Sequence, residues 1–324
     1  MKNKPSKKAG EVDEGIMMLV ALCLILFVFI LPKSGVPGPA ETLSVFSSDP
    51  GQAWQTSGSN PSYSSQSTTQ NGETLNQTLS LGSGNASYEI QAYLEYITLY
   101  NQSDKPLDIS GWKLQNAKDT RGYQIGSDIR NFAADTAVIP SGSPFVSPNG
   151  HNALKDIIIG PGERAIVTTG SIGVKDPYKI ESFKENKCSG YLESMPEYSF
   201  TPSLDQNCPR PQDEIGFNKL DRACQDLLNN FSSCHIPTYD GYDSNHQACK
   251  GCIDGHQNLT NACVAFIKSH FDYGSCIDNH QGDPDFAEDT WRIFLGQNWE
   301  MWAKDHETIS LFNRSSQKTS SLSY

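Results

Sequence analysis

No stretch of this 324-residue chain constrains its fold as tightly as Glu95 to Leu114. Glu95-Tyr96-Ile97-Thr98-Leu99-Tyr100-Asn101 alternates residue types at period two, the spacing of an extended strand with one face in a core. Ser103-Asp104-Lys105-Pro106 is a polar turn, and Leu107-Asp108-Ile109 is a second short strand. Ser110-Gly111 turns the chain again into Trp112-Lys113-Leu114. Three short strands this close together describe a β-domain. Upstream, Tyr88, Ile90, Ala92 and Leu94 continue the face of Tyr96, Thr98 and Tyr100, with Tyr93, Ile97 and Leu99 opposite. That pattern predicts one long strand interrupted by a bend or bulge.

Further blocks follow. Val138-Ile139-Pro140-Ser141-Gly142 is a strand ending in a turn, and Leu154 to Thr168 reads as strand, Gly160-Pro161-Gly162 turn, strand. Trp291 to Gly296, Glu307 to Asn313 and Ser321 to Tyr324 are three late strands. In type and order these blocks resemble lamin tail domains, over roughly 86–187 and 283–324, with Glu307 standing where an Asp is commoner. The resemblance implies an immunoglobulin-like β-sandwich that serves as an interaction module with no catalytic set. It makes Tyr96, Leu99, Gly111, Trp112 and Trp291 core or turn positions, Gly111-Trp112 supplying a turn and a buried indole.

The N-terminus is of a different kind. Ile16 to Leu31 is an unbroken apolar run, with Lys2, Lys4, Lys7 and Lys8 before it and Lys33 after. At ~1.5 Å per residue it spans roughly 24 Å, slightly short of a hydrocarbon core, a gap that flanking residues and local thinning close. The positive-inside bias makes 1–15 a cytoplasmic tail and 16–32 a single-pass anchor, with the body outside the cell membrane. A cleaved signal peptide is the competing reading, and Cys23 lies within the apolar run. Residues 33–86, rich in Ser, Thr, Gln, Asn, Gly and Pro, have too little apolar area to offset ordering and are expected to form a disordered linker. The β-domain is then 87–324. A net charge of −12, with no Lys or Arg between Lys33 and Lys105, argues against nucleic acid as a partner.

Eight of the nine cysteines fall in one window: Cys188, Cys208, Cys224, Cys234, Cys249, Cys252, Cys263 and Cys276. The window interrupts the β-domain as an insertion, 188–282. Leu220, Cys224, Leu227, Leu228 and Phe231 share the stripe of one helix. Ala262, Cys263, Phe266, Ile267 and His270 share that of a second, with Asn258 or Thr260 near its N-cap. An even cysteine count outside the cytoplasm implies a disulfide framework, whose connectivity the spacing leaves open. Cys249-Lys250-Gly251-Cys252 has the spacing of zinc knuckles and redox motifs. No second Cys-x-x-Cys or regular His spacing completes a metal site, so no metal or cofactor is expected.

The fold expected is therefore mainly β: a lamin-tail-like sandwich carrying a small α-helical, disulfide-rich insertion, preceded by an anchor and linker. The function expected is a non-catalytic module at the cell surface that binds a protein or glycan partner. Two alternatives stand beside it. One is an extracytoplasmic hydrolase, for which Asp305-His306-Glu307 is the nearest cluster although no Gly-x-Ser-x-Gly or His-Glu-x-x-His is present. The other is a self-associating structural protein of the envelope.

Overall fold

Strand pairing in the computed structural model, which describes residues 78–173, 177–243, 245 and 247–324, builds two main sheets. These residues belong to one compact unit, Gln66–Tyr324. The expected tail, the anchor at 16–32, Cys23 and the linker up to residue 77 lie outside the described residues. Among the described residues no helix is long and apolar enough to cross a membrane.

The first sheet has five strands in the order Leu79–Gly82, Tyr96–Asn101, Arg164–Thr168, Ala287–Phe294, Phe183–Asn186. Arg164–Thr168 and Ala287–Phe294 pair in parallel, and the other neighbours are antiparallel. The second sheet has four antiparallel strands in the order Lys318–Ser323, Thr308–Phe312, Lys113–Gln115, Thr136–Val138. Two ribbons flank them, Leu107–Asp108 with Ile158–Ile159, and the exposed hairpin Gly122–Ile125 with Asp128–Asn131. The main sheets share one apolar core. Ile97, Leu99, Ala165, Val167 and Ile293 of the first face Leu114, Ala137, Ile309 and Leu311 of the second. Alternation along each strand puts these residues inward and makes the assembly a β-sandwich.

Two differences from the sequence reading reshape the N-terminal edge of the sandwich. The sandwich begins inside the stretch assigned to the linker: Leu79–Gly82 is an edge strand whose Leu79 is fully buried. Ser80 and Gly82 gave it a polar look, but pairing supplies what its composition lacks. The long strand expected from Tyr88 starts only at Tyr96. The Asn85 side chain intervenes, its amide donating to the Leu94 carbonyl (2.9 Å) and its oxygen accepting from the Tyr96 amide (2.8 Å). That clasp turns residues 85–94 back on themselves and leaves Tyr88 and Ile90 exposed.

Asn101, last residue of the opening motif, is buried. Its amide donates to the carbonyls of Lys105, Ile159 and Gly160, at 2.8, 2.8 and 3.0 Å. It therefore fixes a turn, and both Asn85 and Asn101, which sit in Asn-x-Ser sequons, have their side chains committed to the interior.

The insertion leaves the sandwich between Phe183–Asn186 and Ala287–Phe294, which are neighbours in the sheet. Its helices are short: Gly190–Glu193, Arg222–Leu228, Asn261–Lys268 and Tyr273–His280. The sequence reading contains neither the first nor the last of these. Helices this short are marginal alone, and three are closed by side-chain caps. Asp221 accepts from the Cys224 amide (3.0 Å), Thr260 from Cys263 (3.3 Å) and Asp272 from Ser275 (2.8 Å). The Thr260 hydroxyl also donates to Asp221 (2.7 Å), and Cys224 bonds Cys263, so two helix starts are locked together twice. The remaining pairs are Cys188–Cys276, Cys208–Cys234 and Cys249–Cys252. The insertion also has apolar substance. Phe217, Leu227, Phe266 and Phe271 form one cluster, and Tyr191, Tyr273 and Ile277 join Phe183 of the sandwich in another.

Candidate functional site

Five positions singled out in the sequence lie in the sandwich. Leu99, Trp112 and Trp291 are buried in its core, and the Trp291 indole N–H donates to the Ile158 carbonyl (3.0 Å). Gly111 takes a left-handed φ of 77° that suits glycine and turns the chain beside Arg314. Tyr96 is only half-buried, on the outer face opposite Ile97 and Leu99, because the inward set of that strand is the odd-numbered one. Its ring packs over Gly84, where a Cβ would lie 2.8 Å from it. None of the five lines any of the three hollows described below. All eight insertion cysteines are paired, Cys249 and Cys252 with each other.

Glu95 is fully buried. Its carboxylate accepts from the amides of Met301 (2.9 Å) and Trp302 (3.3 Å), so it clamps the segment that follows the Ala287–Phe294 strand. Burial pushes its pKa up to about 7 against the opposing effect of those hydrogen bonds. Glu307 is buried too, and accepts from the amides of Ala117, Ala303 and Thr308, each at 2.8 Å, with Arg121 3.3 Å away. In Asp305-His306-Glu307 the carboxylate thus holds backbone while Asp305 and His306 are exposed.

A groove of about 850 Å³ runs across the insertion, lined by Lys187, Gln206, Asn207, Arg210, Asp283 and Asp285 among others. An adjoining hollow of about 240 Å³, lined by Tyr191, Phe231, His235 and Phe271, shares the Cys208–Cys234 bond as part of its wall. Beside the groove, charges form a chain. Lys187 contacts Asp285 (2.7 Å) and Asp283 (3.1 Å), Asp283 contacts His280 Nδ1 (2.8 Å), and His280 Nε2 contacts buried Glu214 (3.0 Å). Burial pulls the His280 pKa down, but the carboxylates on both ring nitrogens outweigh it and the net shift is upward. Hydrogen bonds from His280 and Lys187 hold Asp283 below the usual carboxylate range. The groove therefore offers both donors and acceptors, each already compensated. Gln206, Asn207 and Ser233 add neutral groups.

A second cluster sits where the insertion meets the sandwich. Arg292 and Glu185 form a buried ion pair. The Arg292 guanidinium also donates to the carbonyls of Pro202 (2.5 Å) and Ser203 (3.0 Å) in the insertion. Among the described residues, Glu185, Asp205 and Glu288 are the carboxylates that converge closely enough to share a cation. The Arg292 guanidinium already supplies positive charge there, and sequence reading found neither this cluster nor the His280–Glu214 pair. Non-local pairs of this kind carry no spacing signal.

Comparison with curated proteins and with solved structures finds no match. The match that does exist covers the first strands of the sandwich and runs on into the insertion as far as residue 195. Residues 66–195 fit the family model of the Lamin Tail Domain, and the chain carries a domain of that immunoglobulin-like family.

Proposed function

We propose that this protein is a membrane-tethered, non-catalytic interaction module whose body lies outside the cytoplasm and whose partner, a protein or a glycan, is engaged by the cysteine-rich insertion. The groove along Lys187, Arg210 and Asp283 carries this reading, because it is the largest concavity described and is framed by cross-linked chain. Its compensated charges suit recognition by hydrogen bonds. An extracytoplasmic location is supported by the paired cysteines, and the anchor by the apolar run at 16–32. The lamin tail domain supports a binding role through its family's use as a scaffold.

The test is cross-linking from the groove. The full-length protein, displayed on the surface of its host cell with a photo-reactive group at Asn207, should capture a discrete partner, and Arg210→Glu should reduce capture at least several-fold. Equal capture by a probe on the outer face at Ser323 would sink the assignment to this groove.

A further inference from the structure

The segment 296–302, at the opposite end of the Ala287–Phe294 strand from the insertion, presents a tryptophan outward from a fixed base. Trp299 is 79 % exposed, yet its neighbours Met301 and Trp302 are buried in the sandwich core. Both flanks of Trp299 are pinned. On one side the Gln297 amide donates to the Thr169 carbonyl (2.9 Å) and Gly296 to Gly170 (3.3 Å). On the other, Glu95 holds the amides of Met301 and Trp302, and the Asn116 side chain donates to the Met301 carbonyl (2.8 Å).

A hollow of about 390 Å³ lies beside it, lined by Ile90, Gln91, Tyr93, Ser171, Gln297 and Trp299 among others. Ile90 is 59 % and Tyr93 44 % exposed, so three large apolar side chains lie open around one recess. The opposing wall is equally fixed. The Gly170 amide donates to Ala92 (2.6 Å), and a Cβ at Gly170 would meet the Ala92–Tyr93 backbone at 2.8 Å. Glycine is required there for the two segments to approach.

We propose that this recess is a binding site for a neutral saccharide, with Trp299 as the ring on which a pyranose stacks. The lining selects that chemistry. An indole offers a negative π-face to the C–H face of a sugar ring. The carboxamides of Gln91, Gln297 and Asn298 and the Ser171 hydroxyl supply both donors and acceptors, as hydroxyl groups require. Among the described residues no Lys or Arg lines the hollow, while Glu300 does, and the chain carries −12 overall. Anionic sugars and phosphates would be repelled. The volume lies within the range of small-ligand sites, and the pinned flanks mean that little order is lost on binding.

The experiment uses the full chain in a detergent without a sugar headgroup. It titrates cellohexaose, chitohexaose and mannohexaose, with a heparin hexasaccharide as the anionic comparison, and follows indole fluorescence and calorimetry. At least one neutral hexasaccharide should bind while heparin does not. Trp299→Ala should weaken that binding at least tenfold, Trp299→Phe less, and Gln297→Ala severalfold, with unfolding midpoints unchanged. Three results would each overturn the proposal: no binding of any neutral probe at millimolar concentration, binding that survives Trp299→Ala, or stronger binding of heparin. Light scattering on the same samples covers the remaining occupant, since a dimer abolished by Trp299→Ala would assign the recess to a second copy of the chain.

Discussion

The sandwich and its insertion solve the same problem by different means. In the sandwich, strands distant in sequence are joined by continuous hydrogen-bond ladders over one core drawn from both sheets. In the insertion, helices of seven and eight residues are closed by side-chain caps and tied by four cysteine pairs around smaller apolar clusters. The ladder satisfies backbone groups wherever strands meet, so it tolerates changes of side chain on its outer face. The insertion depends on particular side chains at particular places. Where the two regions meet, a shared apolar cluster around Phe183 is joined by a buried ion pair, Arg292 with Glu185.

That junction is where the comparison breaks most violently. Removing one partner of a buried pair leaves an uncompensated charge, so Arg292→Ala should cost about 3–5 kcal/mol in denaturant unfolding and loosen both regions together. A loss confined to one of them would mean that Glu185–Arg292 does not couple them. Next in size is the Cys188–Cys276 bond. Its removal by a double serine substitution should cost roughly 2–4 kcal/mol, with proteolytic cuts falling in 188–276 while the sandwich fragments stay intact. The shorter Cys208–Cys234 loop, with a sequence separation of 26 against 88, should matter less.

The two regions also titrate in different windows. Glu95 has its folded-state pKa raised to about 7 from the 4.5 of an ordinary glutamate. The protonated form is thus favoured in the fold, and the sandwich should lose about 2 kcal/mol between pH 5 and pH 8. Glu95→Gln should flatten that profile, and an unchanged slope would exclude Glu95 as its source. His280 is also shifted upward. Its contribution is complete below pH 6.5 and fades as pH rises through the folded-state value, so the loss attributable to the insertion begins where that of Glu95 is ending. His280→Gln should remove no more than about 1 kcal/mol, given partial exposure of the pair. Smallest of all, Trp299→Ala should leave stability within ~0.5 kcal/mol by calorimetry.

What the sequence disclosed followed local pattern. Period-two alternation located Tyr96–Asn101, strand-like apolar runs located Arg164–Thr168, the second half of Ala287–Phe294 and Thr308–Phe312, and helical stripes located Arg222–Leu228 and Asn261–Lys268. Failures came where a distant partner overrode composition. Leu79–Gly82 looks like linker until Tyr96–Asn101 pairs with it, and Tyr88 to Leu94 looks like strand until Asn85 folds it back. Tyr273–His280 did carry a signal, an Asp272 cap followed by Tyr273, Cys276 and Ile277 on one face. The open recess had none, because Trp299 reads like any core tryptophan until the buried pair after it fixes which way it faces.

The place of the insertion also sets the order in which the molecule can assemble. Ala287–Phe294 lies inside the first sheet, between Arg164–Thr168 and Phe183–Asn186, so that sheet stays open until residues 187–286 have been made and gathered. Cys188–Cys276 brings the two ends of that connection together. Replacing a loop of about a hundred residues by a path of about fifteen lowers the closure entropy by roughly 1–2 kcal/mol. Oxidation of this one pair therefore serves as an assembly step for the sandwich as well as a brace for the insertion. Under reducing conditions the Ala287–Phe294 strand should be the last to acquire protection from hydrogen exchange.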